Sequence, residues 1–232
     1  MTISPLSPTA RTTVTRIRER AFADRRELWD LLGDCLVCHV GFVVDGQPVV
    51  LPTAYGIDPE GPDHDGTLYL HGSVAAGWLR AGDGTPVSAT FTAVDGLVLA
   101  RSGFHHSMNY RSAVVLGKVR VVTDPDERAR ALDLVVDQVV PGRAATLRRP
   151  TRRELAATVV WAVSLHEASV KARAAGVADD ASDIEAGTWA GVVPLRVVAG
   201  DPVTEADTGE PVPADVRRRV AGLGGTPDPL DQ

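Results

Sequence analysis

Cysteine is nearly absent from the chain: the 232 residues hold two, Cys35 and Cys38. With His39 they match the spacing of a c-type haem attachment motif in form. The segment from Cys35 to Val44 reads as a β-strand, however, and residues three apart on a strand point to opposite faces. That geometry excludes a shared disulfide, a zinc pair and a covalently attached haem, and leaves two buried, inert thiols. Long apolar runs are missing too. None approaches the ~20 residues needed to cross a bilayer, and the Ser-, Pro- and Thr-rich opening from Met1 to Ala10 leads into no apolar signal core. A cytoplasmic protein without a membrane partner is expected. Nor is there a surplus of basic charge: the formal net charge is −6, so nucleic acid is not an expected partner. The one dense basic run, Arg143 to Arg153, has no interleaved aromatics and reads as a solvated helix entrance.

What remains is ordinary for a globular protein, with 44% apolar and 23% charged residues. One domain is expected over residues 21–200, with a flexible leader at 1–20 and a C-terminal tail at 201–232. The tail is rich in Asp, Pro and Thr and carries a short possible helix from Pro213 to Leu223.

Within the domain, Asp24 and Glu27 have the spacing of a capping box, opening a helix whose apolar face is Leu28, Leu31 and Leu32. Cys35–Val44 and Pro48–Ile57 are strands joined by an Asp45-Gly46 hairpin turn. A short strand, Thr67 to His71, ends at Gly72-Ser73, and a short helix over Val74–Ala81 follows. Its N-terminus would present free N–H groups suited to a phosphate. Pro86–Val94 is a strand, Asp95-Gly96 a second hairpin turn, Leu97–Arg101 the returning strand, and Tyr110–Val122 a long strand. Asp124-Pro125 starts a helix that runs to about Val139, and Thr151 with Glu154 opens another. Thr158–His166 and Trp189–Val198 are the last strands, with Pro194 placing the final one at an edge or bulge. Val177–Gly187 is acidic and loop-like. About six to eight strands, mostly joined by hairpins and interrupted by short helices, predict a mainly β fold: a closed antiparallel barrel with helices outside it.

The most informative stretch is the polar insert between Leu97 and Val122. Arg101, Ser102, His105, His106, Ser107, Asn109, Tyr110, Arg111 and Ser112 crowd between two strongly β-forming runs. That variety suits a ligand carrying both a phosphate and a polar ring.

Several stretches together resemble the pyridoxamine-phosphate-oxidase-like FMN-binding split barrels, and within them the branch that includes nitroimidazole-resistance proteins. They are Val37-Cys-His-Val-Gly-Phe42, Val49-Val-Leu-Pro-Thr53, Leu68-Tyr-Leu-His71-Gly72-Ser73, Asp95-Gly-Leu-Val-Leu-Ala-Arg101-Ser102, Phe104-His-His-Ser-Met-Asn-Tyr-Arg-Ser112 and Trp189-Ala-Gly-Val-Val-Pro-Leu195. The resemblance implies a split β-barrel homodimer with FMN at the subunit interface. Leu51, Pro52 and Thr53 would then lie along the flavin ring, His71, Gly72 and Ser73 at the phosphate-side strand end, and Tyr110, Arg111 and Ser112 on phosphate or ribityl. His71 is the candidate catalytic residue, and His106 a further candidate contact. Many relatives carry a basic residue early in the helix after His-Gly-Ser, where this chain has Ala76 and Gly77. Arg80 and Arg111 are the candidate replacements, with Arg111 expected to be the principal phosphate anchor.

The activity implied is that of an FMN-dependent oxidoreductase acting on a small molecule, with a nitro compound or another electron acceptor as the substrate by analogy. The alternative is a non-catalytic flavin or haem carrier or sensor with the same fold, which the Ala76-Gly77 departure favours.

Overall fold

The computed structural model describes residues 4–77 and 82–224, and in them the strands assemble into two antiparallel sheets. The larger has the order β2 (Gln47–Thr53), β1 (Cys38–Val44), β5 (Pro86–Leu99), β6 (Ser107–Lys118), β9 (Ala168–Arg173), with β10 (Gly191–Pro194) added along β5. The smaller runs β3 (Tyr55–Asp58), β4 (Thr67–Ser73), β8 (Thr158–Ser164), β7 (Arg120–Val121). One core lies between them. Val40, Phe42, Phe91 and Val115 from the larger sheet meet Leu68, Leu70, Trp161 and Val163 from the smaller. The mainly β architecture matches expectation, although the described ladders form two facing sheets and not one continuous ring.

The first hairpin forms as its turn chemistry dictates. Asp45 and Gly46 both take positive φ, 49° and 76°, and Val44 pairs with Gln47 across them, the twist that suits a two-residue connection. The second Asp-Gly pair behaves differently. Asp95-Gly96 is a bulge inside the single strand β5, with a register shift between Val94 and Gly96, and β6 pairs with β5 on both sides of it. The chain continues because Gly96 to Val98 gain ladders on two sides, from β6 and from β10. A short polar-Gly pair serves a bulge as readily as a turn.

The expected strand Pro48–Ile57 is divided at Ala54. Its first part stays with β1, while Tyr55 crosses to the smaller sheet and is fully buried, its hydroxyl 2.5 and 2.6 Å from the carbonyl oxygens of Leu32 and Cys35. These carbonyls close α1 (Arg26–Asp34), whose Leu28, Leu31 and Leu32 are buried as expected. No capping box forms at its start. Asp24 Oδ1 accepts from the Arg26 N–H at 2.9 Å, and Arg25 occupies the cap position because its side chain is needed in the interior. Likewise the long strand expected to reach Val122 ends at Lys118, and Arg120–Val121 joins the smaller sheet. Strand β9 forms where no element was expected, and the short helix α4 (Ala181–Glu185) lies within Val177–Gly187, expected to be loop-like.

Helix α2 (Pro125–Val139) is capped by Asp124, whose side chain accepts from the N–H groups of Asp126 and Glu127, and α3 (Arg152–Ala156) by the Thr151–Glu154 capping box. Both were legible from spacing. Helix α2 lies on the outer face of the smaller sheet, over Tyr69, Val160 and Ala162. Gly56 makes that approach possible: a Cβ there would stand 2.8 Å from the backbone nitrogen of Val135.

The termini are tied down more firmly than composition suggested. Leu6 and Thr12 are buried, and the Leu6 and Ser7 N–H groups donate to Ala23 and Ala168 carbonyls at 2.9 and 2.8 Å. Arg25, with its side chain wholly buried, donates to the carbonyls of Ser4, Pro5, Leu165 and His166 and lies 3.3 Å from an oxygen of Asp65. The tail forms α5 (Ala214–Gly222), within the expected Pro213–Leu223. Its buried Asp215 accepts from Arg143 at 3.4 Å, and Arg219 Nε donates to the Val139 carbonyl at 2.9 Å. Among the described residues no helix is long and apolar enough to cross a membrane.

Replacing Arg25 strands four carbonyls and a shielded carboxylate at once. Arg25→Met is therefore expected to cost about 3 kcal/mol of stability in urea unfolding. A loss under about 1 kcal/mol would mean that the leader is not held through this side chain.

Candidate cofactor site

Strand β4 alternates cleanly. Leu68 and Leu70 face the core between the sheets, whereas Tyr69 lies under α2, and the two-residue period puts His71 on Tyr69's side. There α2 does not close completely onto the sheet. A cavity of about 450 Å³ remains, walled by His71 and Thr158 from the strands, by Leu132, Val135 and Val136 from α2, and by Leu147, Arg148, Pro150, Glu154 and Leu155 from the segment leading into and through α3.

His71 is half-buried in this wall, and its Nδ1 is shielded from solvent with no hydrogen-bond partner among the described residues. Burial lowers its pKa below the ordinary histidine value, because the charged imidazolium is the form that loses hydration. The neutral imidazole is therefore favoured in the wall of a mostly apolar cavity, the form able to ligate a metal or accept a proton. Arg148 and Glu154 form a two-bonded pair beside it, at 2.9 and 2.6 Å. That pairing, with the Thr151 hydrogen bonds, pulls the Glu154 carboxyl down to about 2.

The other expected site residues lie elsewhere in the subunit. Leu51, Pro52 and Thr53 are on β2, the edge strand of the larger sheet, opposite Val40, His39 and Cys38. Tyr110, Arg111 and Ser112 are on β6, opposite Val94, Ala93 and Thr92. With β1 and β5 between them, β2 and β6 are about 14 Å apart at ~4.8 Å per strand. Gly72 and Ser73 follow His71 at the end of β4. Ser73 Oγ accepts from the Ala75 N–H at 3.2 Å in a turn, and no α-helix begins by Gly77. The rest of that expected helix, Arg80 included, lies outside the described residues. His106 is exposed, with Nδ1 2.8 Å from the Ser102 carbonyl, and His105 reaches Asp180 at 3.3 Å.

Arg111, the expected phosphate anchor, is engaged within the subunit. Its Nε and Nη2 donate to the two oxygens of Asp95, each at 3.1 Å, and its Nη1 to Asp34 at 2.5 Å. The fork that was to grip a phosphate is closed on a carboxylate of its own strand pair, and two acidic groups outweigh its single positive charge. Both cysteines are buried and free; burial raises both thiols, Cys38 to about 12, so neither is a nucleophile or ready ligand.

Sequence reasoning overlooked the cavity's α2 and α3 walls. Leu132, Val135 and Val136 have the spacing of an ordinary core face, and only the basic, Pro-containing run beside them hinted that a second surface stood opposite.

A comparison with curated proteins gave no match. Among solved structures, the chain is similar to an FAD and heme binding protein from Mycobacterium smegmatis, with 40% identity over 86% of this chain and 97% of that one and a TM-score of 0.78. It is also similar to a flavocytochrome from Azotobacter vinelandii, with 32% identity over 92% of this chain and 98% of that one and a TM-score of 0.82. A candidate 5-nitroimidazole antibiotic resistance protein from Bacteroides thetaiotaomicron shares the fold at 24% identity, over 65% of this chain and 85% of that one, with a TM-score of 0.52. The profile of the pyridoxamine 5'-phosphate oxidase family matches residues 24–172, and the chain belongs to that family.

Proposed function

We propose that this chain is a two-cofactor redox protein, an oxidoreductase that binds a flavin and a haem. The observation that carries the reading is the half-buried His71 imidazole, whose Nδ1 is engaged by none of the described residues, in the wall of a cavity of about 450 Å³ that is mostly apolar. Such a cavity suits the apolar face of a haem, and His71 would supply a ligand to its iron. The identity with the FAD and heme binding protein and with the flavocytochrome supports the same pairing. When bound, the flavin supplies exchange of one or two electrons and the haem iron one-electron chemistry. The protein's share is binding and orientation. The side chains of Leu132, Val136 and Leu155 exclude water, and Arg148, exposed and able to leave Glu154, supplies a cation for a haem carboxylate.

We assign the flavin as FAD in preference to FMN. A terminal phosphate monoester concentrates nearly two negative charges at one point and calls for an arginine fork. This chain has Ala76 and Gly77 at the family's basic position, and Arg111 is committed to Asp95 and Asp34. The diphosphate of FAD carries about one charge per phosphate, and its adenosine adds contacts of its own. The flavin would lie along Leu51, Pro52 and Thr53 at the β2 edge, in a homodimer that brings these residues toward a partner's strands. An exposed apolar row favours such pairing: Val193, Leu97 and Met108 lie side by side across β10, β5 and β6, at 40%, 37% and 51% exposure.

Protein reconstituted with hemin is expected to show a Soret band that His71→Ala removes while flavin absorption persists; a band of unchanged position and intensity in the variant would overturn His71 ligation. Because burial disfavours imidazolium at this position, haem uptake should persist at about pH 6, where an unperturbed histidine is largely charged. Flavin released by denaturation should run as FAD on chromatography, and FMN would overturn the assignment. Arg111→Ala should change flavin affinity by less than about threefold, since the side chain is already engaged; a loss of a hundredfold in a fluorescence titration would return the phosphate to Arg111.

A further inference from the structure

At the end of the smaller sheet remote from His71, the loop before β4 and the turn after β8 are bound together. Ser164 Oγ donates to the His64 carbonyl at 2.8 Å, and the Leu165 N–H to that of Gly66 at 2.9 Å. This clasp gathers three donors. His166 Nδ1 lies 2.7 Å from Asp65 Oδ2, and His64 Nε2 lies 3.8 Å from the same oxygen. The two imidazoles stack with centroids 4.0 Å apart and planes at 20°. One ligand atom from each residue falls within 4.8 Å of the others. A four-coordinate zinc with bonds of ~2.0–2.1 Å holds its ligand atoms about 3.3 Å apart, and the two oxygen–nitrogen distances bracket that spacing.

We propose that His64, Asp65 and His166 form a binding site for a divalent transition metal, zinc in particular. Two imidazoles and one carboxylate select borderline ions such as zinc, cobalt and nickel over magnesium and calcium, which take oxygen ligands. The contacts that Asp65 receives from Ser4, Arg25, His64 and His166 all go to Oδ2, the oxygen whose distances to both imidazoles bracket the zinc spacing. Arg25 and Ser4 orient that oxygen as the ligand. The nearby guanidinium charge opposes the metal and sets a modest affinity. His64, with its side chain 67% exposed, moves to close the site, and three protein ligands leave a fourth position for water. The Ser4 and Arg25 contacts couple such a metal to the docking of the leader, so binding stabilises the fold.

The test is calorimetric titration of tag-free, chelator-stripped full-length protein with zinc chloride, together with its thermal unfolding. The expected result is one equivalent bound and a melting temperature raised by zinc and restored by chelator. His64→Ala, at an exposed position that should not disturb folding, is expected to weaken binding at least roughly tenfold and abolish the shift. His105→Ala, at the other described cluster of donors with Asp180 and Asp183, should leave both unchanged. No stoichiometric binding by the unaltered chain, or equal binding by His64→Ala, would overturn the site; loss of binding in His105→Ala alone would move it to that cluster.

Discussion

The position of α2 is the constraint on which the rest depends. Three contacts fix it. Near its start, Tyr69 donates through its hydroxyl to Glu127 at 3.0 Å; midway, the bare backbone of Gly56 admits it; at its end, Gln138 Nε2 donates to the Leu32 and Cys35 carbonyls at 2.8 and 2.9 Å. Between those pins the helix cannot settle further onto the sheet. Leu132 and Val136 therefore keep part of their surface for the cavity, and His71 is left facing a space instead of a packed neighbour. The same Gln138 and Tyr55 contacts complete the C-terminal end of α1, so the helix that shapes the cavity also terminates the helix on the far side of the core.

The two ends of the smaller sheet have opposite characters. At the His71 end an ionisable group is half-buried without a polar partner, a condition that folding tolerates because imidazole can remain neutral. At the Asp65 end, ionisable groups are bound to one another and to a wholly buried arginine. The second end supplies rigidity, and the first leaves open space beside an imidazole.

Several local signals survived translation into structure, although the Asp24–Glu27 box did not form. The Asp124 cap, the Thr151–Glu154 box and the Asp45-Gly46 turn each rest on a few adjacent residues whose geometry has few alternatives. Asp95-Gly96 shows the limit: whether such a pair turns the chain or merely bulges it depends on β10, which arrives nearly a hundred residues later in the chain. The division of a continuous apolar run at Ala54 was hidden for the same reason, since only tertiary contacts decide which sheet each half joins. Among the candidate site residues, His71 was singled out through family likeness, and it lies in the wall of a mostly apolar cavity. Arg111 could not be judged from the sequence, because its partners Asp34 and Asp95 are distant or apparently committed to a turn. The walls on α2 and α3 look like ordinary amphipathic helix until a gap is seen between them.

The docked leader has a consequence for how the chain comes to be folded. Residues 4–12 precede by roughly 160 residues the groups that receive them, the Ala168 carbonyl and the Glu167 carboxylate. Arg25 emerges early as a charged, unpartnered side chain and finds its full set of acceptors only when β8 and β9 exist. The barrier to completing the fold therefore includes closing a loop of well over a hundred residues, a slow kind of contact compared with a hairpin. Until that closure the nascent β1–β2 hairpin and α1 present apolar surface without their cover, so the interval between synthesis of α1 and of β9 is when this chain most needs protection from association.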